Sequence, residues 1–95
     1  MNMSKTHRKE DYEKVAELFK IMANAKRLEI LDTIKDKEVT VNELSKTLGI
    51  YKSNTSQHLS LLRYTGLVTA RRQGKKVFYK ASNPKVVDIL RLSMK

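Results

Sequence analysis

The 95-residue chain contains no cysteine, and that absence removes disulfides, thiolate zinc sites, iron–sulfur ligation and cysteine nucleophiles together. No apolar run approaches the roughly 18–20 residues of a membrane span. The start of the chain, with Lys5, Arg8 and Lys9, lacks the apolar stretch of a signal peptide. A cytoplasmic protein with no membrane partner is therefore the expectation. Also missing are a Gly-rich phosphate loop, a carboxylate pair in a plausible cleft and a Ser/His/Asp arrangement with a reason to converge. An enzyme is accordingly not expected. Repeats and low-complexity segments are absent too. At this length there is room for one domain and one small core, which the 40% hydrophobic content is enough to build.

The most informative scarcity is of carboxylates. The formal net charge is +10, and it is unevenly spread. Residues 1–50 hold ten basic and nine acidic side chains, whereas residues 51–95 hold ten basic ones and only Asp88. Between Glu43 and Asp88 there is no acid at all. A solvated surface normally mixes both signs, so a one-sign stretch inside a foldable region points to phosphate and hence to nucleic acid.

What is present reads as a succession of short elements. Residues 1–10 are polar and aperiodic and read as a flexible arm; residues 11–95 read as the domain. From Asp11, Val15, Leu18, Phe19 and Met22 follow the spacing of one helical face. Asn24 reads as the cap of a second helix that turns Leu28, Leu31 and Ile34 inward, with Ile30 on its flank. That helix runs out at Asp36-Lys37-Glu38, and Val39 could open a very short strand. Thr40-Val41-Asn42-Glu43 has the form of a capping box for a third helix burying Val41, Leu44 and Leu48 and ending at Gly49. Ile50, Tyr51 and Lys52 form a turn, and Ser53 then reads as the cap of a fourth helix. Its Thr55, Leu59 and Leu62 share a face, and Gly66 closes it. The period next falls to two. Leu67 to Gln73 and Lys76 to Ala81 read as strands around a Gly74-Lys75 turn, with Val77 and Tyr79 inward. Asn83-Pro84 opens a fifth helix that is apolar nearly all round.

Two helices joined by a short turn with a glycine at the break form a helix-turn-helix pattern. The expected class is mainly α with a small β-hairpin, a winged helix-turn-helix of order α-α-(short β)-α-α-β-β-α. The fourth helix has a polar front edge of Ser53, Asn54, Ser56, Gln57 and His58, the side-chain types that read base edges. Lys52 and Arg63 lie at its two ends. Ser53 serves equally well as a plain cap, and the other polar residues as a solvated face; the lack of neighbouring acid favours DNA. Arg71, Arg72, Lys75 and Lys76 crowd the hairpin tip around Gln73 and Gly74. Edge-strand protection accounts for one or two such cations, whereas a wing lying on the backbone or in a minor groove accounts for all four. Tyr51 either touches a phosphate or covers the core.

Three stretches, "LFKIMANAKRLEIL" (18–31), "NELSKTLGIYKSNTSQHLSLLRYTGLV" (42–68) and "RRQGKKVFYKASNP" (71–84), carry a resemblance to the ArsR/SmtB transcriptional repressors. The resemblance implies a homodimer built by the first and last helices, with Val15, Leu18, Phe19, Val86, Val87, Leu90 and Met94 as interface candidates. It further implies recognition by the fourth helix and repression at a pseudo-palindromic operator. The apolar fifth helix agrees independently, because a helix without a polar face needs burial on several sides. The chain departs from the family pattern where sensors would sit. The third helix has no thiol, the last helix has Asp88 without histidine, and the redox-sensing cysteine pair is absent. Transition-metal sites need several soft or imidazole ligands, and His7 is isolated in the arm. No metal, thiol sensor or cofactor is expected, and the effector stays open, pH acting through His58 included. Tyr64 and Thr65 stand where the family more often has small or charged residues. Two other functions compete: a non-specific architectural DNA binder, and a winged-helix protein-interaction module.

Overall fold

The structure, a computed structural model, describes residues 6–94. Residues 1–5 of the expected arm, half of it, lie outside the described residues, and residues 6–10 run straight into a helix. Helix α1 spans Lys9–Met22, two residues earlier than the periodicity indicates, because the Asp11 carboxylate accepts from the Arg8 amide at 2.8 Å and caps the first turn. Helix α2 spans Ala25–Ile34 and opens where Asn24 Oδ1 accepts from the Arg27 amide at 3.0 Å. Its inner face differs from expectation. Ile30, Leu31 and Ile34 are fully buried, while Leu28 is only half-buried, so Ile30 faces the core and Leu28 takes the flank. The reason is that α2 is central, packing against all four other helices and the second strand, which leaves little of it at a surface.

Helix α3 spans Val41–Leu48 with the capping box complete: Thr40 Oγ1 accepts from the Glu43 amide at 3.2 Å, and Glu43 Oε1 accepts from the Thr40 amide at 2.9 Å. Gly49 then stands at φ 66°, a left-handed conformation in which a Cβ would be strained. Helix α4 spans Lys52–Tyr64. Ser53 is not its cap. The helix starts two residues sooner than a Ser53 cap would set it, Tyr51 occupies the cap position, and no side chain bonds the free amides there. The C-terminal end of α4 is closed by the Gly66 and Leu67 amides, which donate to the Arg63 and Leu62 carbonyls at 3.0 and 2.9 Å.

Strands β1 (Val68–Gln73) and β2 (Lys76–Ala81) pair antiparallel in register from Val68↔Ala81 to Gln73↔Lys76. In the Gly74-Lys75 turn only the glycine has positive φ, the pattern of a type II′ hairpin. Val39 joins β2 through a two-bond bridge to Tyr79, at 3.0 and 2.8 Å, and so lies on the edge of β2 away from β1. Helix α5 spans Pro84–Ser93, opened by Asn83 Oδ1 accepting from the Lys85 amide at 2.9 Å. The order is the one expected for a winged helix-turn-helix. One core joins every helix to the base of the hairpin, with Leu44, Leu59, Leu62 and Leu67 at 0% exposure. No helix among the described residues is long and apolar enough to cross a membrane.

Candidate nucleic-acid interface

Helix α4 is held from behind. Thr55, Leu59 and Leu62 are fully buried, as their shared face requires. Thr55 also carries a short polar chain into that core. Ser45 Oγ of α3 donates to Thr55 Oγ1 at 2.8 Å, and Thr55 Oγ1 donates to the Tyr51 carbonyl at 3.0 Å. Both hydroxyls are thereby satisfied, so burial costs them little, and the crossing of the two helices is fixed by directional bonds as well as by packing.

The opposite side of α4 is solvent-facing. Ser53 and Gln57 lie on its outermost ridge, and the ridge continues through Ser60 and Tyr64 at helical spacing. Asn54 lies beside this ridge, and Lys52, Ser56 and Arg63 follow one flank; all are exposed. Ser60 and Tyr64 were legible in the 3.6-residue period, but the polar cluster at the front of the helix drew the reading away from them. Tyr51 is 78% exposed, which excludes a core-covering role. Together with Asn42 and Lys46 of α3 it lines a shallow groove that ends at Lys52 and Ser53. Lys46 had no sequence signal, since it sits in the half of the chain where acids balance bases.

His58 departs from its expected place at the front. It is half-buried, and its Nδ1 lies 3.3 Å from Arg27 Nη1. Arg27 in turn donates from Nε to the Ile21 carbonyl at 2.7 Å, at the end of α1. Burial, then the positive charges of Arg27 and Lys26, push the imidazole below its ordinary pKa, so that neutral His58 accepts from Arg27. It braces α4 against α2 instead of facing outward.

The wing is likewise divided. Arg72, Lys75 and Lys76 are exposed at the tip and make no side-chain hydrogen bond or ion pair among the described residues. Arg71 is engaged. Its Nε and Nη2 donate to the two carboxylate oxygens of Glu38 at 2.9 and 2.8 Å, and its Nη1 donates to Gln73 Oε1 at 2.7 Å. The guanidinium also lies 4.8 Å from the centre of the Phe78 ring. Its hydrogen bonds and charge hold the Glu38 carboxyl below the usual carboxylate range. The acid-free stretch is thus not acid-free in space, and Gln73 has its carbonyl oxygen occupied.

Of the candidate interface residues between copies, Val86 and Leu90 are buried in the chain's own core at 1% and 3% exposure, which corrects their assignment to a partner's surface. Leu18 also packs against this core, and Val87 is half-buried. Val15 and Phe19 are about half exposed, and they form a stripe on α1 with Tyr12. Met94 and Leu92 are exposed at the end of α5. Among the described residues no three His, Asp or Glu side chains gather so as to hold a metal.

Comparison with known proteins agrees with this geometry. Residues 24–70 match the family model of bacterial regulatory proteins of the arsR family. The transcriptional activator HlyU of Vibrio cholerae is 43% identical over 79 residues, covering 83% of this chain and 73% of that protein. The crystal structure of NolR from Sinorhizobium fredii superposes with a TM-score of 0.84 at 36% identity, over 98% of this chain and 93% of the other. A homodimeric winged helix-turn-helix DNA-binding domain, Mb0332 of Mycobacterium bovis, gives the same TM-score at 29% identity, over 98% and 86% of the two chains. With its fold, its polar outer ridge on α4 and its cationic hairpin, the chain belongs to the ArsR family of bacterial regulatory proteins.

Proposed function

We propose that the chain is a sequence-specific double-stranded DNA-binding repressor that acts as a homodimer in the cytoplasm. The observation that carries this reading is the pairing of a rigidly backed, acid-free polar ridge on α4 with three exposed cations at the hairpin tip that make no side-chain hydrogen bond or ion pair among the described residues. Ser53, Asn54, Ser56 and Gln57 offer donors and acceptors to base edges in a major groove. Arg72, Lys75 and Lys76 offer charge to phosphates or to a narrow minor groove. Lys46, Tyr51 and Lys52 flank the uncapped start of α4, whose free amides favour a phosphate.

The exposed Tyr12, Val15 and Phe19 of α1, with Leu92 and Met94 of α5, supply the surface for a second copy. Two α4 helices about one helical turn apart, roughly 34 Å, would then meet a pseudo-palindromic operator.

Selection of bound duplexes from a random pool, followed by affinity on the selected and on a scrambled duplex, tests the reading. Specific binding should exceed scrambled binding by about a thousandfold or more. A ratio near one replaces the repressor with an architectural DNA binder. Weak binding to every duplex even at low salt replaces it with a protein-interaction module.

A further inference from the structure

One arginine of the wing is already committed within the chain. From β1, Arg71 reaches across the face of β2, over the Phe78 ring, to Glu38, the residue before the one that bridges the far edge of β2. Arg71 and Phe78 are direct partners in the ladder, so the ring lies under the guanidinium by register and not by chance of rotamer. Both carboxylate oxygens are used in parallel bonds, the planar geometry that only arginine makes. Gln73, two residues on and therefore on the same face, takes the third nitrogen at 2.7 Å.

A phosphate arriving at this guanidinium would have to displace a carboxylate that already matches the fork. It would also leave Glu38 without its bidentate partner, a negative charge beside the nucleic acid offset only by the charge of Lys80. Arg72 faces neither difficulty, because it points from the other face of the strand and has no partner of its own among the described residues.

We propose that Arg71 is a positioning residue and not a phosphate ligand: it straps β1 across Phe78 to Glu38, fixing the hairpin against the connection between α2 and α3. Arg72, Lys75 and Lys76 then carry the wing's charge to the ligand. The second half of this proposal rests on the DNA-binding reading, whereas the strap is a property of the free protein.

The test uses the full chain in two measurements. The first is amide hydrogen exchange across β1 and β2 without DNA. Glu38→Gln, Arg71→Ala and Arg71→Lys should each speed exchange by about fivefold, the scale of a well-formed surface pair. Glu38→Gln combined with Arg71→Ala should add nothing further, because one strap is lost either way. The second is the salt dependence of binding to a random-sequence duplex. Arg72→Ala should flatten the slope of log K against log salt by about 0.9, the value of one phosphate contact. Arg71→Ala should leave that slope unchanged, and Glu38→Gln should not steepen it. Unchanged exchange in Glu38→Gln, or full rescue of exchange by lysine at position 71, overturns the strap. A slope flattened by about 0.9 in Arg71→Ala, or steepened by as much in Glu38→Gln, makes Arg71 a phosphate ligand that Glu38 masks. If no duplex binds at any salt, the DNA reading fails, and the exchange measurement still decides the strap.

Discussion

Helix α4 and the hairpin wing both face outward, but they are held by different means. The back of α4 is sunk in the core through Thr55, Leu59 and Leu62 and bolted to α3 by the Ser45–Thr55 hydrogen bond. The wing has its base in the core, at Val68 and Ala81, is tied there once more through the buried Val39 and its bridge to Tyr79, and further out is steadied by the Arg71–Glu38 pair near the surface. The difference matches the tasks proposed for them. A hydrogen bond to a base edge fails when displaced by an ångström, so it needs a rigid mount. A cation near a phosphate keeps most of its attraction over several ångströms, so it tolerates a looser one.

The comparison is broken most directly by removing the mount of α4. Leu59→Ala empties a fully buried site and should destabilise the fold by about 2–5 kcal/mol in urea unfolding. Arg72→Ala, at the exposed tip, should leave the unfolding midpoint nearly where it was. Equal effects of the two would show that α4 is no better anchored than the wing.

A smaller effect sharpens the division of labour. Gln57→Ala should lose about 1–3 kcal/mol of preference for the selected duplex and little affinity for a scrambled one. Lys75→Ala should instead weaken both alike and flatten the salt slope by about 0.9. Binding isotherms on the two duplexes at several salt concentrations separate these outcomes, and a uniform loss in Gln57→Ala would remove it from the bases.

The smallest effect concerns pH. His58 is held below its ordinary value of 6.5, so the folded chain binds fewer protons there than the unfolded chain. Stability therefore falls as pH drops through 6.5, and is unaffected by this group well above it. Glu38 and Glu43 have lowered values too, but they contribute only as pH falls through 4.5, outside the window. Between pH 7.5 and 5.5, wild type should lose more stability in chemical denaturation than His58→Gln does. An identical loss in both would detach His58 from the Arg27 brace.

The locally encoded features were legible because their signals lie within a few residues of one another. Asn24, the Thr40–Glu43 box, Gly49, the Gly74 turn and Asn83-Pro84 each fix a boundary through bonds to near neighbours, and each stands where its residue type indicates. The buried face of α4 was equally readable from its period. The start of α4 lies two residues before the one its residue types indicate, because Ser53 is a good cap by type but is not used as one. At the interface, composition was a partial guide. Four cations at the tip were visible, yet their availability was not, since the partner of Arg71 is 33 residues away. His58 was drawn to the polar edge by its neighbours in sequence, whereas its partner Arg27 is 31 residues distant.

The sequence by itself thus determined the order of the elements, their caps and the charge that marks the second half of the chain, all of which depend on neighbours along the backbone. Only the tertiary structure decided which of the outward-looking residues are free. It turned Val86 and Leu90 into core, placed Glu38 against Arg71 and set His58 on Arg27. Those assignments depend on which surfaces meet when the helices pack, and local spacing carries no record of that.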